Sequence, residues 1–112
     1  LCRGYWEGDS LKPALNSDGW FHSGDIGKLD HQGYLTILGR KDNMFISGGE
    51  NIQPEEIEQQ LCQREGIKQA VVVPVKNKEF GYRPVAFIAM NQDKSLDEAE
   101  IRQYLAEHFP RF

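Results

Sequence analysis

Between residues 54 and 109 two apolar β-type runs stand between two helix-type patterns. That alternation limits the fold more than any other feature of the chain. "IKQAVVVPV", residues 67–75, and "PVAFIAM", residues 84–90, are β-branched and apolar, and read as strands. The second is apolar at successive positions, which predicts a strand covered on both faces. Ahead of the first run, Pro54 suits the first position of a helix, where its missing N–H costs nothing. Glu55, Glu56 and Glu58 suit the positive end of a helix dipole. Ile57 and Leu61, four apart, share one face of that helix, and Gly66 breaks it. After the second run, Ser95 and Glu98 have the spacing of a capping box. Ile101, Leu105 and Phe109 then recur every four residues on a second amphipathic helix. From residue 43 on, the predicted order is strand or hairpin, helix, strand, strand, helix. This is an α+β domain, a small sheet flanked by helices.

Residues 1–33 differ, being rich in Gly, Asp, Ser and aromatics. Asp18-Gly19, Gly24-Asp25 and Gln32-Gly33 are turn signals. Trp20-Phe21 and residues 26–29 between them suit short strands or a hairpin. "YLTIL", residues 34–38, reads as a strand that Gly39 ends. A boundary is expected at residues 39–43, where a strand gives way to charges. No repeat or low-complexity tract divides the chain otherwise. It opens without Met or a settled first element and stops just past a helix pattern, as expected of a piece of a longer protein.

A net charge of −4 argues against general nucleic-acid binding through a basic surface. Cys2 and Cys62 are far apart, with no CxxC or Cys/His cluster, so the reading is no zinc site and two free thiols in a reducing compartment. No apolar run nears the length of a membrane span, and the expected location is the cytoplasm.

The segment "GRKDNMFISGGENIQPEEIE", residues 39–58, combines a charge cluster, a double glycine and a helix start. The residues alone leave three readings open: a phosphate cradle, a plain tight turn, or a joint between two bodies. Against the cradle, the pattern is not G-x-x-x-x-G-K-[ST], and the glutamates after Pro54 would repel phosphate.

Three stretches, "GWFHSGDIG", "GRKDNMFISGGENIQPEEIE" and "VVPVKNKEFGYRPVAFIA", resemble the C-terminal part of the adenylate-forming enzymes. These are the acyl-CoA synthetases, luciferases and peptide-synthetase adenylation domains. "ISGGENIQPEEIE" is similar to the aryl and small-acid CoA ligases, and "KEFGYRPVAF" resembles the o-succinylbenzoate–CoA ligases of menaquinone synthesis. The resemblance implies residues 1–41 as the tail of a large N-terminal domain and residues 42–112 as a small mobile C-terminal domain. It implies ATP, Mg2+, CoA and a small carboxylic acid as substrates and companions, with acyl-adenylate formed first and the thioester second. The phosphate loop and acyl pocket would lie upstream, and a late lysine would follow Phe112. The fragment alone is expected to be inactive. The rivals are another aryl or acyl-CoA ligase and, from another class, a non-catalytic nucleotide-binding or interaction module.

Residue by residue, the resemblance gives Asp25 the ribose hydroxyls of ATP, though a Gly-Asp loop is ordinarily a simple turn. It gives Arg40 the nucleotide's ribose or phosphate oxygens, where a guanidinium fork is valuable. Asp42 takes the hinge position, as a short polar residue that tolerates backbone rotation. Gly48 and Gly49 would line the tunnel for the pantetheine arm of CoA, where bare backbone gives a thin chain room. Phe80 would stack on the CoA adenine, against an ordinary packing role; Arg83 lies nearby. Some relatives carry lysine where Ile46 stands, so Ile46 is assigned no catalytic role. His22, His31 and His108 read as surface or structural residues. No nucleophile or metal ligand is expected within the chain.

Overall fold

The computed structural model describes residues 1–109. Two hairpins come first. Strand β1 (Gly4–Glu7) pairs antiparallel with β2 (Ser10–Pro13) through a Gly8-Asp9 turn. Strand β3 (Asp25–Leu29) pairs with β4 (Leu35–Arg40), with a bulge between Ile26 and Gly27. A short 3-10 turn, Lys41–Asn43, leads into β5 (Phe45–Ser47), which pairs with β6 (Glu50–Ile52). Helix α1 (Pro54–Gln63), long strands β7 (Ile67–Asn77) and β8 (Gly81–Met90), and helix α2 (Glu98–His108) complete the order. The architecture is α+β, as expected, with four separate two-stranded antiparallel sheets among the described residues.

The core is Phe45, Ile52, Ile57, Leu61, Ile67, Ala70 and Val72, with Ile88, Met90, Leu96, Ile101, Leu105 and Phe109 packed against it. Every one of these residues follows the 3-10 turn. In residues 1–40, by contrast, Tyr5, Trp6, Trp20, Tyr34, Leu35 and Ile37 are exposed. Helix α1 lies on β7 through Ile57 and Leu61, the same-face pair read from the sequence. Glu58 Oε1 accepts the Val72 N–H at 2.9 Å and fixes that contact. The two helices are tied at Tyr104, whose hydroxyl donates to Gln60 O at 2.9 Å and accepts from Gln60 Nε2 at 2.7 Å.

Five local expectations are corrected. The β1–β2 hairpin forms where no settled element was expected, because Gly8-Asp9 makes a tight reversal between short extended runs. Trp20-Phe21 forms no strand; Asn16 Oδ1 instead accepts the N–H groups of Asp18 and Trp20 and curls the segment into a turn. Strand β4 runs on through Gly39 to Arg40, since Gly39 pairs with Ile26 and Arg40 with Asp25. The capping box of α2 is Asp97 with Glu100, not Ser95 with Glu98. Asp97 Oδ1 accepts the Glu100 N–H at 2.8 Å, and Glu100 Oε2 accepts the Asp97 N–H at 3.0 Å. Finally, β8 is covered on one face only. Ala70 and Val72 point into the core, while the alternate positions Val71 and Phe87, direct partners in the ladder, remain exposed, Phe87 by 65%. A two-stranded sheet with its helices on one side leaves the other side bare, whatever its sequence. No helix among the described residues is long and apolar enough to cross a membrane.

Candidate functional site

The predicted nucleotide residues meet at the end of the β3–β4 ladder. Asp25 and Arg40 are direct cross-strand partners. Arg40 Nη1 lies 3.1 Å from Asp25 Oδ1 and donates to Ser23 O at 2.6 Å. Arg40 Nη2 approaches Asp42 Oδ2 at 3.6 Å. The Lys41 N–H donates to Gly24 O at 2.7 Å, so the start of the 3-10 turn is held to the same loop. Asp25 Oδ2 accepts no hydrogen bond from the described residues. The cluster thus offers a carboxylate oxygen and a partly exposed guanidinium side by side, suited to a diol and an oxyanion. Asp42 belongs to this cluster through Arg40, and its own side chain is 80% exposed.

The residues expected to meet CoA gather beyond the turn. Gly48 and Gly49 are the two-residue loop between β5 and β6, with φ of 55° and 84°. Both positive values suit the turn twist that closes a tight hairpin, and glycine adopts them without strain. The plain-turn reading of the double glycine is therefore correct as local structure. Gly48 also meets Phe80: its N–H donates to Phe80 O at 3.0 Å. A Cβ on Gly48 would stand 2.9 Å from Phe80 Cδ1, whereas one on Gly49 would meet open space. The Arg83 guanidinium covers one face of the Phe80 ring at 4.5 Å from its centroid. Gly48, Phe80 and Arg83 line a groove of about 420 Å³ together with Ile52, Val72 and Leu105.

The two gatherings share no hydrogen bond or ion pair among the described residues. Between them sits a group that sequence reasoning missed. Glu55, read only as a first-turn helix charge, accepts at Oε1 from the Arg40 N–H (3.2 Å) and from Asn43 Nδ2 (2.6 Å). At Oε2 it accepts from Gln53 Nε2 (2.6 Å), which also donates to Arg40 O at 2.9 Å. Burial pushes the Glu55 carboxyl up, but the hydrogen bonds from Asn43, Gln53 and the Arg40 N–H outweigh it and hold it below its ordinary value. Gln53 is buried, and its Oε1 has no donor among the described residues. Arg40 and Asn43 lie 15 and 12 residues from Glu55 in sequence, so no local pattern announces those two contacts.

The remaining residues singled out from the sequence are placed as follows. Ile46 is exposed on β5. His22 Nε2 meets Asn16 Nδ2, and His108 Nδ1 meets Tyr104 O, both local contacts. Cys2 and Cys62 are free and exposed. Among the described residues no group of three His, Cys, Asp or Glu side chains could hold a metal ion.

The AMP-binding enzyme C-terminal domain family matches residues 56–112, just over half of the chain. The 2-succinylbenzoate–CoA ligase of Haemophilus influenzae is 47% identical over 100% of this chain and 25% of that protein. Among solved structures, wild-type E. coli MenE with a bound m-phenylether-linked analogue of OSB-AMS superposes with a TM-score of 0.82 at 40% identity, covering 100% of this chain and 24% of that one. The o-succinylbenzoate CoA synthetase of Bacillus subtilis, in complex with the acyl-adenylate OSB-AMP, gives a TM-score of 0.85 at 32% identity over 98% of this chain and 22% of that one. The chain spans about a quarter of the length of these relatives. On these matches, and on a helix–strand–strand–helix unit with the expected glycine hairpin, the chain belongs to the AMP-binding enzyme C-terminal domain family of adenylate-forming enzymes.

Proposed function

We propose that this chain is part of an ATP-dependent carboxylate–CoA ligase acting on o-succinylbenzoate, in menaquinone biosynthesis. Residues 1–41 would close a large domain and residues 42–112 form the small one, with Asp42 as the pivot. The observation that carries the reading is the division of the chain at the 3-10 turn. The Asp25–Arg40 cluster precedes it, the Gly48–Phe80 cluster follows it, and every core residue lies on the later side. The choice of acid is supported by the 47% identity across the whole chain to the Haemophilus influenzae ligase.

In the first half-reaction a carboxylate oxygen attacks the α-phosphorus of ATP, and pyrophosphate leaves. Asp25 would accept hydrogen bonds from the ribose hydroxyls, and Arg40 would donate to nucleotide oxygens. Mg2+ enters only as the companion ion of ATP; no described residue is assigned to it. In the second half-reaction the CoA sulfur attacks the acyl carbon, and AMP leaves. The side-chain-free Gly48-Gly49 turn would then flank the pantetheine arm, and Phe80, 37% exposed, would stack on the CoA adenine beside Arg83. Neither step needs a nucleophile from this chain.

The test uses the full-length protein with ATP and a panel of aryl and aliphatic carboxylic acids. Pyrophosphate release should be fastest with o-succinylbenzoate, and AMP release should then depend on CoA. Faster release with another acid overturns the substrate, and no release with any acid overturns the ligase.

A further inference from the structure

We infer that Glu55 and Gln53 form a clasp across the 3-10 turn, holding the small unit in the pose seen here and opening when that unit turns. The inference rests on the proposed ligase function for its purpose, but its geometry stands alone. The main chain passes from β4 to β5 through the Lys41–Asn43 turn and Met44. Both backbone polar groups of Arg40, the last residue of β4, are bound from the far side of that turn. Its N–H donates to Glu55 Oε1 at 3.2 Å, and its carbonyl accepts from Gln53 Nε2 at 2.9 Å. Gly39 makes room for this grip: a Cβ there would stand 2.5 Å from Gln53 Nε2 and 2.6 Å from Glu55 Oε2.

Rotation within the turn affects these bonds unequally. Asn43 Nδ2 to Glu55 and Gln53 to Glu55 join residues on the same side and survive it. The two bonds to Arg40 cross the rotation and must break. Meanwhile the Arg40 side chain is held from the other direction by Ser23 O and Asp25. Arg40 is therefore gripped by its backbone from the small unit and by its guanidinium from the nucleotide cluster. A ligand that draws the guanidinium away pulls on the main chain that Glu55 holds. Glu55 is a positioning residue in this scheme: it acts on the reaction through Arg40 and the turn.

The test compares Glu55→Ala, Glu55→Gln and Glu56→Ala in the full-length protein. Glu56 is the neighbouring first-turn charge, exposed and away from the junction, so its loss alters the helix end alone. Two readouts need no catalysis: amide hydrogen exchange over residues 39–43, and trypsin cleavage after Arg40 and Lys41. Loss of a charge-assisted hydrogen bond should speed both about tenfold in Glu55→Ala. Glu55→Gln, which keeps an accepting oxygen, should give a smaller increase, and Glu56→Ala should match wild type. In the same variants, the ratio of thioester formation to adenylate formation in single turnovers should change only for Glu55. Unchanged exchange in Glu55→Ala, or an equal rise in Glu56→Ala, overturns the clasp. Faster exchange in a protein that releases no pyrophosphate with any acid upholds the clasp and rejects the ligase reading instead.

Discussion

The Phe80 ring closes over Gly48 so tightly that a single added methyl group would stand 2.9 Å from Phe80 Cδ1. Gly49, one residue on, has a similar positive φ but open space around it. The pair separates backbone strain from crowding. Gly49→Ala should cost about 1 kcal/mol of stability from φ alone. Gly48→Ala should cost more, and should displace the ring. Urea denaturation of both variants, with CoA KM in the full-length enzyme, checks this: KM should rise in both, and more for Gly48→Ala, which also displaces the Phe80 ring.

Truncating the ring itself, Phe80→Ala, removes the platform and leaves Arg83 without its partner face. If an adenine stacks there, CoA KM should rise by about 1–3 kcal/mol in free-energy terms. Adenylate formation should not change. A parallel loss in both half-reactions would place Phe80 among packing residues.

Arg40→Lys tests the nucleotide cluster. One Nη1 donor serves Ser23 O and Asp25 Oδ1 together, and a lysine ammonium lacks the planar fork to keep that geometry. Adenylate formation should fall about 10- to 100-fold, the scale of one or two charge-assisted hydrogen bonds. Pyrophosphate release at saturating and limiting ATP distinguishes weaker binding from slower chemistry.

The lowered Glu55 carboxyl gives an acid-limb prediction. A depressed folded-state value means the stabilisation is complete above the unfolded value, near the model-peptide 4.5, and is lost as pH falls through the lower folded value. Denaturation midpoints should therefore drop below about pH 4.5 more steeply in wild type than in Glu55→Gln. Parallel curves for the two proteins would count against a hydrogen-bonded, ionised Glu55.

The core makes a contrast within one sheet. Leu61 is fully buried, so Leu61→Ala should lose about 2–5 kcal/mol. Phe87, on the bare face of β8, should change stability by less than about 0.5 kcal/mol when cut to Ala. A large loss at Phe87, measured by urea unfolding, would mean that another surface covers that face.

Legibility followed the range of the interactions. Helices α1 and α2 and strands β7 and β8 were readable because their signals are local: Pro54 at a helix start, Ile57 with Leu61 on one face, β-branched runs. The α2 cap slipped by two residues because Ser95 and Asp97 both stand three before a glutamate, and only packing selects Asp97. The open face of β8 was misread since alternation shows what a strand can bury, not what lies beside it. Asp25, Arg40, Gly48 and Phe80 were singled out by motif resemblance alone, and their pairings became visible only as contacts. Glu55 carried no such signal: its partners are made by the fold.

Both tryptophans, Trp6 and Trp20, lie ahead of the 3-10 turn, exposed and outside the core. Indole fluorescence will therefore report on the leading hairpins and whatever covers them, while far-ultraviolet circular dichroism reports on the helical unit. In this chain the two signals need not melt together, and an optical midpoint taken from either one describes only its own half of the molecule.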